Sequence, residues 1–340
     1  MRVRFAAAAV HPLEDPLKRR TLIAGLCLLP AALVLPASAR AAASARIGWL
    51  SSDGPSGNSG FDQFRVGMRE LGYVEGRNVV IDARWGNGSA SALDSIAALL
   101  VRSAPDVIVT QGPAIRHIRQ TGTALPVVFG FSGDPVAAGY VASFGRPGGN
   151  MTGISFLSLD LVGKRIELLQ EVVPGLKRVA ILANPEHAGE PAELRVSRTA
   201  AESVGLKVDY FQVRSAAELE TALAGVATAR CGAMVLFPDA GMMRYAERVA
   251  AFSREQQIPA ISGWAVFARR GNLLSYGPNL EDGYGRLATY VDKILRGAKP
   301  ADLPVELPTK IELVLNEAAA RDLGITFSNT LRLRADVFVR

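Results

Sequence analysis

Histidine and cysteine are scarce in this 340-residue chain, which holds three of the first and two of the second. His11, His117 and His187 lie far apart, so no zinc-type spacing exists. Cys27 sits inside an apolar run near the start, and Cys231 just ahead of another. No internal disulfide is expected, and Cys231 reads as a buried, inert thiol. The phosphate and dinucleotide loops are missing too: there is no Gly-x-Gly-x-x-Gly after a strand and no Gly-Lys-Ser/Thr. Nor is there a Gly-x-Ser-x-Gly nucleophile elbow; Ile261-Ser262-Gly263 is only a fragment of one. These absences leave no cofactor and no metal to expect, and they make catalysis a weak reading.

Long apolar runs are also lacking. The one near the start, residues 21–36, is too short to span a bilayer comfortably. It follows Lys18-Arg19-Arg20 and precedes Ala37-Ser38-Ala39. A basic segment, a short apolar segment and a small-x-small site make a secretory signal peptide, residues 1–39, with cleavage as late as 45. Export by the Sec or the twin-arginine route fits Arg19-Arg20 equally. The expected location is the periplasm, where ATP and NAD(P)H are not supplied. Removing the signal takes away Arg2, Arg4, Lys18, Arg19 and Arg20, with Glu14 and Asp15. Five of 38 basic and two of 32 acidic residues go, and a net charge of +3 replaces +6. So small a surplus, without a basic cluster, argues against a nucleic-acid partner.

What is present is alternation. Strand-like apolar runs fall at 46–50, 79–84, 107–110, 127–131, 152–156, 178–183, 207–211, 233–237, 260–262 and 272–275. Amphipathic stretches separate them at 61–71, 90–103, 159–172, 190–204, 216–227, 242–257 and 280–296. Near-continuous Val, Ile, Leu and Phe indicate parallel strands covered on both faces. The pattern predicts an α/β fold of two doubly wound, Rossmann-like lobes joined by a multi-strand hinge. Residues 46–154 plus about 277–303 would form lobe 1, and 155–276 lobe 2. The segment 304–340, with a strand at 310–315 and a helix at 316–323, is open between the lobes. Ligands of such sheets bind beyond the carboxyl ends of the strands.

The candidate ligand residues are therefore strand-end loops. In the first lobe they are Ser51 and Ser52, then Gly112, Pro113 and Ala114, then Ser132, Gly133 and Asp134. In the second they are Asn184, Pro238 and Asp239, and Ser262, with Tyr276 at the crossing between lobes. Helix starts at Gly112–Ala114 and Gly133–Pro135 would favour an anion. Asp134 reads both as a helix N-cap and as a partner for a ligand ammonium. Trp49, Phe131, Phe237, Trp264 and Tyr276 are available as apolar walls or as core. His117, beside Arg116 and Arg119, reads as part of a solvated helix face, and His187 as part of a plain loop.

Longer signatures carry a family resemblance. They are Met68-Arg69-Glu70-Leu71-Gly72-Tyr73-Val74-Glu75-Gly76-Arg77-Asn78-Val79, Gly133-Asp134-Pro135-Val136, Arg146-Pro147-Gly148-Gly149-Asn150-Met151-Thr152-Gly153, Leu274-Ser275-Tyr276-Gly277 and the stretch from Tyr290 to Glu306. Together they resemble the ABC transporter substrate-binding family that includes tryptophan/tyrosine-type binding proteins, over roughly 46–334. The resemblance implies a type I periplasmic-binding fold. It implies a receptor that closes on a small amino-acid-like or carboxylate ligand and delivers it to a membrane permease with a cytoplasmic ATPase; a receptor that closes is expected to act as a monomer. The chain departs from the pattern at Gln111-Gly112-Pro113, where members often carry threonine or serine, and at Val337, where a Glu usually follows Ala-Asp. Two rivals stay open: a sensory receptor of the same fold signalling to a membrane partner, and an extracytoplasmic α/β hydrolase using Ser262 with His187.

Overall fold

The computed structural model describes residues 44–55, 59–157 and 159–340; the signal-peptide reading of residues 1–39 lies outside them. The first sheet holds β1 (Ala45–Ser51), β2 (Val79–Trp85), β3 (Val107–Gln111), β4 (Val127–Phe131) and β5 (Met151–Ser155). Its order is β2-β1-β3-β4-β5, and every pair is parallel. Helices α1 (Ser59–Glu70), α2 (Ala90–Arg102) and α3 (Ala114–Gln120) make its crossovers.

Successive strand residues go to opposite faces, and each face has its own core. Ile47, Trp49, Val107, Val109 and Val128 pack with Phe64 and Met68 of α1. Leu50, Ile108, Val127 and Phe129 pack with Leu93, Ala97 and Leu100 of α2 and with Ile115 and Ile118 of α3. Strands buried on both sides favour apolar residues, which is why β4 and the first three residues of β3 read as unbroken runs; Thr110 and Gln111 close β3 as buried polar residues.

The second sheet contains β6 (Arg178–Ala183), β7 (Lys207–Gln212), β8 (Ala233–Leu236), β9 (Ala260–Ser262), β10 (Leu274–Pro278), β11 (Ile311–Asn316) and β12 (Val337–Val339). The order is β12-β11-β10-β9-β8-β6-β7, parallel except for the antiparallel β10–β11 pair. Around it lie α4 (Val162–Val172), α5 (Glu190–Ser203), α6 (Ala216–Thr228), α7 (Ala240–Met243), α8 (Ala246–Gln256) and α9 (Ala265–Arg269). The segment left open by the sequence joins this sheet through β11 and β12, with α11 (Glu317–Asp322) and α12 (Asn329–Arg334) beside them; α10 (Leu280–Leu295) intervenes before β11.

Helix α10 leaves the second sheet and packs on the first. Asn279 caps it, accepting from the Asp282 amide at 2.8 Å. Its apolar stripe of Leu287, Ala288, Tyr290, Val291 and Ile294 joins the core of Trp49, Phe64 and Val128. The chain thus passes between the two halves after β5, after β10 and before β11. These passages are tied together. The Asn279 amide donates to the Lys310 carbonyl at 2.9 Å, and the Glu306 amide to the Gly153 carbonyl at 3.0 Å. The detour through α10 brings β11 back in the opposite direction, which explains the one antiparallel pair. No helix among the described residues is long and apolar enough to cross a membrane.

Candidate functional site

The carboxyl ends of β1, β3 and β4 face those of β6, β8 and β9, and their loops touch. The Arg244 guanidinium, just after α7, reaches Asp53 of the β1 loop, with Nη2 3.5 Å from Oδ1. Ser132, after β4, lies with its Oγ 2.7 Å from His187 Nε2, after β6. The Gly189 amide donates to His187 Nδ1 at 3.2 Å, so that nitrogen is an acceptor and the proton rides on Nε2. His187 therefore donates to Ser132. Burial lowers its pKa below the usual 6.5, against the opposing charges of Asp239 and Glu190.

Two cavities open among these loops. The first, about 440 Å³, is lined by Asp53, Gln111 and Ser132 from one side and by Met243, Arg244 and Trp264 from the other. Phe156, Leu280 and Tyr284 complete its apolar wall at the hinge. A cavity of this size suits a small solute. The second, about 250 Å³, is lined by Ser52, Pro113, Phe131, Asn184, His187 and Asp239, among others. Arg244 borders both. Burial raises the Asp53 pKa; Arg244 opposes the rise and Asp239 adds to it.

The sequence-predicted residues divide between these places. Gly112 and Ser132 line the first cavity. Ser52, Pro113, Asn184 and Asp239 line the second. Asp239 also caps α7, accepting from the Gly241 amide at 3.2 Å, and its other oxygen lies 3.4 Å from Asn184 Nδ2. Ser51 is fully buried, and its Oγ accepts from Gln111 Nε2 at 2.6 Å. Ala114 belongs to the first-sheet core. Tyr276 packs against the second-sheet core. Ser262 is buried and donates to the Leu236 carbonyl at 2.9 Å. Pro238 packs beside Gly263, and the Gly133 carbonyl accepts from the Ser155 hydroxyl at 3.0 Å. Neither Pro238 nor Gly133 is among the lining residues of the two cavities.

Several expectations need correction. Residues 135–139 form turns rather than a helix, and Asp134 Oδ1 accepts from the Val136 and Ala137 amides at 2.8 and 3.1 Å. The carboxylate thus fills the anion position expected at Gly133–Pro135. At the start of α3, Pro113 has no N–H and the Gly112 amide donates to the Gly130 carbonyl at 3.0 Å, so few donors remain there for an anion. His117 is 4% exposed rather than solvated, because α3 turns it toward α2, where Nδ1 meets Asp94 at 2.6 Å. His187 is held at the junction rather than in a plain loop. The proposed Ser262–His187 arrangement does not form, since each side chain is engaged elsewhere. Trp49 and Phe237 are core, whereas Trp264 and Phe131 reach the cavities.

Arg244, Gln111 and Tyr284 were not singled out by their sequence as ligand residues. An arginine in a loop carries no sign that it will meet the opposite half of the molecule. Gln111 had one signal, its place at a strand end. Asp53, next to Ser51-Ser52, had the same one.

Comparison with known proteins agrees with this architecture. The family model described as ABC transporter substrate binding protein matches residues 52–339. The chain is 24% identical over 267 residues to a tyrosine-binding protein of Clostridioides difficile (strain R20291), covering 77% of this chain and 75% of that one. Among solved structures, a conserved domain protein of Vibrio cholerae superposes with a TM-score of 0.81 at 26% identity, covering 87% of this chain and 99% of its own. An ABC domain from Streptococcus pneumonia in complex with L-Trp also gives 0.81, at 25% identity, covering 87% of this chain and 100% of its own.

Proposed function

This chain belongs to the ABC transporter substrate binding protein family, and on that premise we propose that it is an extracytoplasmic solute receptor. It closes on a small amino-acid-like or carboxylate ligand and presents the closed form to a membrane permease driven by a cytoplasmic ATPase. The observation that carries the reading is the 440 Å³ cavity, walled by strand-end loops of both sheets and by the start of α10. A ligand there touches both halves at once, so its binding energy favours the closed arrangement. The Leu280–Tyr284 start of α10 puts the hinge itself in the cavity wall. The Ser132–His187 pair has the wrong proton arrangement for a nucleophile and its base, because His187 donates to the serine instead of accepting from it.

The test is thermal melting of the exported part, residues 40–340, after unfolding and refolding to strip bound solute. The panel is amino acids, aromatic acids, nucleosides, sugars and small carboxylates. A solute at a hundred times its Kd adds about 2.7 kcal/mol and raises Tm by a few degrees. No shift with any class would sink the receptor reading.

A further inference from the structure

Gly133 and Gly189 bring two backbones into contact across the junction of the halves. A Cβ at Gly189 would lie 3.1 Å from the Ser132 carbonyl oxygen and 3.2 Å from Gly133 Cα, and one at Gly133 would lie 3.2 Å from the Gly189 nitrogen. The loop after β4 in the first half and the loop after β6 in the second therefore meet with no side chain between their backbones. His187 sits beside this contact. Its Nε2 donates to Ser132 Oγ at 2.7 Å, and its ring centre lies 6.3 Å from that of Phe131. The bond is much shorter than the 3.5 Å contact of Arg244 with Asp53, which spans the same junction. The other ring nitrogen is engaged as well, since Nδ1 accepts from the Gly189 amide at 3.2 Å. The site is thus matched to a neutral imidazole: a second ring proton would point at the Gly189 N–H.

Resting on the receptor reading above, we propose that the Ser132–His187 bond is a proton-sensitive latch on closure. The closed receptor holds at neutral pH, and protonation of His187 in mild acid parts the two loops and lets the solute go.

The groups around the ring divide between the halves to that effect. Asp239 at the cap of α7 and Glu190 at the start of α5 favour the imidazolium, and both belong to the second half, as His187 does. They stay beside it when the halves separate, and so does Glu186 of its own loop. Burial opposes the imidazolium and outweighs the acids. Phe131, Ser132 and Gly133 supply part of that burial from the first half. Arg116 of α3, a first-half cation on the wall of the adjoining 250 Å³ cavity, acts in the same direction. Opening removes both opponents and keeps the acids. Arg214 and Arg244 border the cavity from the second half and stay with it, and Tyr140 and Tyr245 bring no charge. His117 is turned to Asp94. The imidazolium is therefore more stable in the open form, and by linkage each proton taken up favours opening.

The experiment uses residues 40–340 stripped of solute, in which His117 and His187 are the only histidines. A Cβ at position 112 would lie 3.3 Å from that of Ala240, so Gly112→Cys with Ala240→Cys locks the halves together on oxidation. Nitrogen NMR of labelled histidine reads the titration of His187 in the oxidised and reduced forms, and His187→Gln identifies its signal. The oxidised form should titrate at least about one pH unit lower than the reduced form, a tenfold bias against closure once the latch is protonated. Affinity is the second readout. From neutral pH to about pH 5.5, wild type should lose at least about fivefold for the solute that raises Tm most in the melting panel. His187→Gln keeps a neutral donor for Ser132 and should lose less than about twofold, with its Tm showing that it folds. Equal His187 titration in the oxidised and reduced forms would overturn the proposal. So would the same loss of affinity in wild type and His187→Gln. Both outcomes leave the receptor reading standing, whereas failure of every panel solute to raise Tm removes that reading and the latch together.

Discussion

Gly153 stands where the backbone leaves no room for a side chain. It lies in β5 at φ +150°, and a Cβ built there would sit 2.0 Å from the Phe129 carbonyl oxygen. Both atoms belong to the paired strands β4 and β5, so neither side can yield. Gly153→Ala should cost about 2–4 kcal/mol, read from chemical denaturation. His187 sets a pH dependence at the same scale. Its folded pKa is depressed below 6.5 by burial. The folded state therefore binds fewer protons than the unfolded one in that range. The benefit is full above pH 6.5 and is lost as pH falls through the lower folded value. Melting from pH 7 to pH 5 should show Tm falling more steeply for wild type than for His187→Asn; parallel curves would refute the assignment. The strand-end position of His187 was readable from Asn184-Pro185-Glu186, but its partner Ser132 lies 55 residues away on the other sheet.

At the scale of elements, two devices hold the hinge. Helix α10 is bound to the first sheet by Leu287, which is fully buried between α1 and the strands. Leu287→Ala should destabilise by about 2–5 kcal/mol. The second device is Arg165 of α4, which donates to the Tyr276 carbonyl of β10 at 2.9 Å and to Glu193 of α5 at 2.6 Å. Burial, with Asp239 and Glu190 nearby, pushes the Glu193 carboxyl up to about 7 even beside Arg165. Arg165→Met should cost about 3–5 kcal/mol above pH 7, where Glu193 is ionised in the wild type and would be left as a buried carboxylate without its cation. The loss should shrink as acid protonates Glu193, and a loss independent of pH would show that packing alone is at work. The amphipathic pattern marked α10 as a helix. The partner of Arg165 was not visible, because Glu193 reads as an ordinary acidic residue in the first turn of α5.

At the scale of the whole molecule, the halves meet closely enough to be joined. A Cβ at position 112 would lie 3.3 Å from that of Ala240, near the range of a disulfide. Gly112→Cys with Ala240→Cys should cross-link on oxidation, at the cost of placing a non-glycine residue at φ +56°. The native Cys231 should not compete, since burial beside Asp209 pushes its thiol up to about 12. Small-angle scattering should then give one radius of gyration with and without solute for the oxidised variant. The reduced variant should expand when solute is removed. A radius insensitive to both reductant and solute would argue against closure.

Most of the order of strands and helices and the two-sheet α/β class were written in local pattern; the short elements α9, α12 and β12 were not marked by it. Alternating apolar runs and amphipathic stretches depend only on which faces a segment must bury. The family signatures were local as well, and they carried the resemblance to substrate-binding proteins. Local chemistry alone could not place Arg244 against Asp53, seat His187 on Ser132, or turn His117 inward. The first two contacts join residues far apart in the chain and exist only because the three passages through the hinge set one sheet's carboxyl ends against the other's; His117 is turned inward by the packing of α3 on α2. Each of these side chains has the composition of a solvated loop or helix residue. What separates it from one is the position of another segment, and that is decided by tertiary packing, between the two halves for Arg244 and His187 and between α2 and α3 for His117.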